Sequence, residues 1–183
     1  MNRMPPIARE LLDAAQRHVY EAVVAGPRGA SVGPIPFWLR SPGLADPAQR
    51  LGAFLRFESE LPAKLRELAI LVTARATTAQ YEWFMHRPIA EHAGLDPSII
   101  EAIAGRKRPG FADPDEELVY DLASGLARTC RIEAALYARG LARFGERGLV
   151  ELVVLVGYYT MVAMTLNAFE APLPDGTPDP LAP

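Results

Sequence analysis

Along most of this chain the apolar residues recur every three to four positions, the spacing of amphipathic helices, and the whole reads as all-α. Residues 7–24 predict a first helix, with Ile7, Leu11, Leu12, Ala15 and Val19 on one stripe. Residues 25–36, with three glycines and three prolines, stop it and predict a loop. A short turn or helical piece follows at 36–42. Asp46 as N-cap and Pro47 at the first helical position predict the opening of a further helix, which carries Leu51, Phe54, Leu55 and Glu58. After Leu61 and Pro62 comes AKLRELAILVTARA, whose Leu65, Leu68, Ala69, Leu71 and Val72 fall at helical spacing. Thr77 and Gln80 have the spacing of a capping box, which predicts a helix starting near Ala79 and ending at Gly94. Pro88 lies inside that helix and predicts a kink, because its ring crowds the Phe84 carbonyl and offers no donor. DPSIIEAIAG repeats the Asp-Pro start and Gly stop. Further helices are predicted at 114–127, 132–144 and 146–169.

The C-terminal part of the pattern bears on location. Residues 152–169 form an 18-residue run without a charge. Gly157, Thr160, Thr165 and Asn167 interrupt its apolar character, and no Lys/Arg cluster anchors its ends. The expectation is a helix buried in a core or subunit interface, not a membrane span. The final segment, 172–183, holds five prolines and predicts an extended tail, more solvated than docked. The expected organisation is a single all-α domain over 1–171 followed by that tail.

Composition narrows the function classes. At 183 residues, 50% hydrophobic and 22% charged, the chain has globular composition and enough length for a core without staples. A net charge of −3 argues against nucleic acid as a partner. Cys130 is the single cysteine, so no internal disulfide forms; this, with no apolar run near the N-terminus, fits a cytoplasmic setting. Cys130 itself reads as a small buried or half-buried residue.

Candidate chemistry sits in TTAQYEWFMHRPIAEHAG. Glu82 and His86 stand four residues apart on one helix face, while Phe84 and Met85 are expected to turn toward packing. Glu67, one helix earlier, can fold back toward the same face. A nearby carboxylate raises an imidazole pKa and burial lowers it, which keeps a histidine useful near neutral pH. The bland alternative is a Glu–His hydrogen bond with no chemistry. His18 reads as an exposed helix residue, His92 falls six positions after His86 and off its face, and no metal-binding pattern accompanies His86. A weak repeat aligns LRELAILV with LVELVVLV at an offset of 84, pairing Glu67 with Glu151; the second copy lacks any counterpart of His86.

The run LPAKLRELAILVTARATTAQYEWFMHRPIAEHAGLDPSIIEAI resembles the carboxymuconolactone decarboxylase-like family, within the alkylhydroperoxidase D-like superfamily. The flanking GPRG, FLRFESELP and GYYTMVAMTLNAFEAPLP resemble its longer members. The resemblance implies an alkylhydroperoxidase D-like helical bundle and a homo-oligomer, a trimer or hexamer. The peroxidase branch uses a glutamate, then C-x-x-C-x-x-x-H. Carried onto this chain, Glu67 and His86 match the relay residues, and the two cysteine places fall on Ala79 and Glu82. Without either thiol a dithiol peroxidase has neither attacking nor resolving sulfur. The decarboxylase branch keeps Glu and His, which implies a lyase acting on a small carboxylated lactone without a cofactor. On that reading Glu67, Glu82 and His86 are catalytic, and Arg75, Tyr81 and Arg28 are candidates for substrate binding. The long segment 9–57 departs from the short decarboxylases. A non-catalytic binding or assembly role for the same fold is the alternative.

Overall fold

The computed structural model describes residues 3–174 and 176–182. Among them no strand occurs, and the chain runs through α1 (Ala14–Ala25), α2 (Ile35–Trp38), α3 (Pro42–Phe57), α4 (Ala63–Ala76), α5 (Gln80–His92), α6 (Pro97–Ala104), α7 (Pro114–Thr129) and α8 (Ala134–Ala168). The all-helical architecture is the one the sequence pattern predicts, and it is consistent with the alkylhydroperoxidase D-like fold that the resemblance implies.

The centre is α4. It packs against α5, α6, α7 and α8, and every residue from Glu67 to Arg75 is buried. A helix apolar all round belongs inside a bundle. Its Leu68, Ala69 and Leu71 are fully enclosed, together with Trp83 of α5, Leu122 of α7 and Leu152 of α8.

Several helix boundaries differ from the sequence reading, each for a local reason. The first helix starts at Ala14, because Asp13 and Gln16 close a capping box there; only a turn of 3-10 helix, Arg9–Leu11, precedes it. The helix expected at Asp46 begins instead at Pro42, so Pro47 lies inside it and Asp46 pairs with Arg50 on the next turn. Pro42 already supplies the favourable first-turn φ, and one proline deeper in the helix removes a single hydrogen bond without ending it. Thr77 does not cap α5. Its hydroxyl donates back to the carbonyls of Thr73 and Ala74, while the Gln80 side chain bonds both backbone groups of Leu181 and Ala79 serves as an uncapped N-cap. α5 runs unbroken through Pro88 and ends at Gly94, whose φ of 88° and flanking Gly94 N–H to Glu91 and Leu95 N–H to Ala90 bonds form a Schellman stop.

α8 is two helices meeting at Gly145, which takes φ 67° and ψ 179°, the division the pattern predicts. It is long and apolar enough to span a membrane by length and composition, and 56% of its most apolar window is buried inside the molecule. The tail does not simply extend into solvent: Leu181 is buried, held by Gln80, and the Ala182 carbonyl accepts from Arg75.

Candidate functional site

Three buried ionisable side chains meet where α4 and α5 cross. α4 presents Glu67, and α5 presents Glu82 and His86 one turn apart, so two helical registers bring three groups to one point. His86 Nδ1 lies 2.7 Å from Glu67 Oε2, a short charge-assisted geometry. With Nδ1–H donated to Glu67, the other ring nitrogen is directed at Glu82, whose Oε2 stands 3.8 Å away, beyond hydrogen-bond length. The Tyr159 ring meets the imidazole edge-on, with centroids 5.1 Å apart.

Glu82 is the electrically unusual member. Its Oε2 is buried and has no hydrogen-bond partner. Burial pushes its pKa up, and this outweighs the opposing pull of His86, Arg56 and Arg28. Burial likewise raises the Tyr158 and Tyr159 phenols, so both stay neutral.

A cavity of about 50 Å³ reaches Glu82 and His86. Arg28, Tyr81 and Gly33 line it from one side, Arg56 from α3, and Tyr158 and Tyr159 from α8. The loop side is held by the Gly33 N–H donating to the Tyr81 hydroxyl at 3.3 Å and by Arg28 Nη2 donating to the Tyr158 hydroxyl at 3.4 Å. The Arg28 Nε is buried without a partner. α3 passes this corner at Gly52, where any Cβ would collide with the Tyr158 hydroxyl and the Arg28 guanidinium. Glycine is needed here for space, not for its backbone freedom.

Of the residues singled out in the sequence, Glu67, Glu82 and His86 come together, with Tyr81 and Arg28 beside them. Arg75 does not. It lines a different cleft with Arg106 and Lys107, because the end of α4 turns it away from α5. Met85, expected to pack elsewhere, lines the cavity, while Ala79, the place of the first peroxidase cysteine, is fully buried. Cys130 is exposed, not buried: it ends α7 in the left-handed conformation at φ 55°. Arg56, Tyr158 and Tyr159 escaped the sequence reading. No spacing rule links them to His86, since they arrive from helices distant in the chain.

Among the described residues no group of three or more His, Cys, Asp or Glu has the arrangement to hold a metal ion. Glu151, the repeat counterpart of Glu67, has a structural duty. It accepts from the Ser59 hydroxyl and the Glu60 N–H, both at 2.8 Å, and from Arg147 Nε at 2.9 Å.

Fold and site together define an all-helical protein with an acid–imidazole–acid centre where α4 and α5 cross. Residues 42–123 match the sequence model of the carboxymuconolactone decarboxylase family. The matched segment runs from α3 into α7 and includes Arg56, Glu67, Glu82 and His86; Arg28, Tyr158 and Tyr159 lie outside it. Compared with curated proteins, the chain finds no significant match.

Proposed function

We propose that this protein is a lyase that decarboxylates a small unsaturated lactone bearing carboxylate groups. The observation that carries this reading is the unpartnered, buried Glu82 carboxyl beside a histidine already oriented by Glu67, at a cavity flanked by two guanidiniums. Burial raises the pKa of this carboxyl, so it keeps its proton to higher pH than an ordinary carboxylate and can act as a proton donor.

In the proposed reaction Arg28 and Arg56 hold substrate carboxylate. The bond to the departing carboxylate breaks, carbon dioxide leaves, and the electron pair passes into the unsaturated lactone. The resulting carbon takes a proton shared between Glu82 and His86. Glu67 fixes the ring through Nδ1 and stabilises the imidazolium when the relay is charged.

The cavity of about 50 Å³ is far below the roughly 300 Å³ at which ligand pockets begin. Substrate entry therefore requires the wall to move, and the wall containing Arg28 and Gly33 has left-handed glycines at Gly29 and Gly33 (φ 69° and 63°) that suit a hinge. The same small volume favours, as the second reading, a binding or assembly role without turnover.

Purified protein offered a panel of small unsaturated carboxylated lactones should release carbon dioxide, and His86→Ala should lower the rate by about 10²-fold or more while helical content is retained. Saturable lactone binding without carbon dioxide release would support the second reading. An undiminished rate in the His86 variant would remove the site assignment.

The reading includes a homo-oligomer. On α8, Val150, Val154, Met161 and Met164 are exposed by 61%, 37%, 37% and 65%, with Gly157 among them. Steps of four, three, four and three make this a heptad seam suited to a second helix.

A further inference from the structure

Arg75 raises a separate question. It is 5% exposed, and its Nε is buried without a hydrogen-bond partner. Its Nη1 donates to the Thr78 hydroxyl at 3.3 Å, and Arg106 Nη2 donates to the same oxygen at 3.0 Å. Two guanidiniums therefore converge on one neutral acceptor. Thr78 and Arg106 both hold left-handed backbone, at φ 47° and 56°, a conformation unfavourable for non-glycine residues. Burial, and after it the Arg106 charge, lowers the Arg75 pKa.

These two residues open onto a cleft of about 530 Å³, with Lys107, Arg108 and Arg128 also on its walls. Asp121 is the single acid among the lining residues, and it is engaged with Arg108, as is the nearby Glu117. Among the described residues no carboxylate pairs with Arg75, Arg106 or Lys107. Arg128 likewise has no carboxylate partner, its Nε donating to the Ser124 carbonyl, so a chain of net charge −3 concentrates four unneutralised cations at one concavity. Ile103, Val72 and Tyr120 supply apolar wall beside them.

We propose that this cleft is a binding site for a small phosphorylated molecule, with Arg75, Arg106 and Lys107 on the phosphate and an apolar body against Ile103 and Val72. A single carboxylate would leave two of these three cations unmatched. A phosphomonoester dianion or a diphosphate matches them better, and its oxygens suit guanidinium forks. The volume lies within the roughly 300–1,000 Å³ of small-molecule pockets and exceeds what a bare phosphate fills. The site is distinct from the His86 cavity, shares no lining residue with it, and does not depend on the lyase reading.

Calorimetric titration of the full chain with inorganic phosphate, pyrophosphate and phenyl phosphate at low and at physiological salt tests it. The expected result is saturable 1:1 binding, tighter for phenyl phosphate than for inorganic phosphate and weaker as salt rises. Arg106→Gln and Lys107→Gln, both exposed positions, should each weaken it roughly tenfold or more. Arg50→Gln, the same charge change on α3 outside the cleft, should leave it unchanged. Absence of saturable binding by all three probes overturns the proposal. So does an equal loss in Arg50→Gln, which would mark diffuse attraction, or undiminished binding in both cleft variants.

Discussion

Glu67 and Glu82 are one residue type on adjoining helices, and their surroundings separate their duties. Glu67 meets His86 Nδ1 at 2.7 Å, whereas Glu82 Oε2 meets no donor. The raised Glu82 pKa has a definite consequence for stability. Between the ordinary carboxylate range and its folded-state pKa, the unfolded chain releases this proton and the folded one keeps it. Stability is therefore full below that window and falls as pH rises through it. Glu82→Gln, which keeps the shape and cannot ionise, should be more stable than wild type at neutral pH, with the advantage vanishing near pH 4. Paired urea titrations across pH would show it, and a gap that is constant with pH would contradict it. The carboxyl-dependent rate should fall as pH rises through the same pKa. At this scale the i, i+4 pair was legible in the sequence, because helical periodicity alone puts Glu82 and His86 on one face. The absence of a partner for Glu82 was not, since that depends on Tyr158 and Tyr159 sealing the corner from α8.

At the scale of elements, α3 decides the shape of the cavity. Gly52 lets it run against Arg28 and Tyr158, so Gly52→Ala should displace both groups. On the proposed function, a roughly tenfold fall in kcat/KM, mostly through KM, is expected; steady-state kinetics would reveal an effect confined to kcat instead. The corner between α3 and α4 depends on α8 through Glu151. Burial works against its ionised form, but the bonds from Ser59, Glu60 and Arg147 hold its pKa below the usual range. That contribution is present above the unfolded pKa and fades as pH falls through the folded one. Glu151→Gln should cost about 1–3 kcal/mol at neutral pH, read from denaturant midpoints, with the His86 site intact. Helix existence followed from periodicity, but several starts did not. Asp46-Pro47 and Thr77-x-x-Gln80 carry start signals that the structure leaves unused. In each case another local preference won: the φ of Pro42 opens α3 earlier, and the Leu181 backbone takes the Gln80 side chain.

Over the whole molecule, charge and apolar surface are segregated. One cleft gathers Arg75, Arg106 and Lys107, and one face of α8 carries exposed Val150, Val154, Met161 and Met164. If that face is the subunit contact, sedimentation velocity should give a mass well above the 20.0 kDa of one chain. Replacing Val150 and Met164 together by Glu should return it to the single-chain value; an unchanged assembly would move the contact elsewhere.

The sequence by itself determined the helical class, the break near Gly145, the Gly94 stop and the Glu82–His86 face, because each rests on local spacing or backbone preference. It also showed that both peroxidase sulfur positions are vacant of thiol. Only the tertiary structure decided that Glu67 orients the ring, that Arg56 and two tyrosines complete the cavity, and that Arg75 belongs to another cleft. Those outcomes depend on how helices far apart in the chain cross, and on which buried groups are left with or without a partner there. No local pattern encodes that.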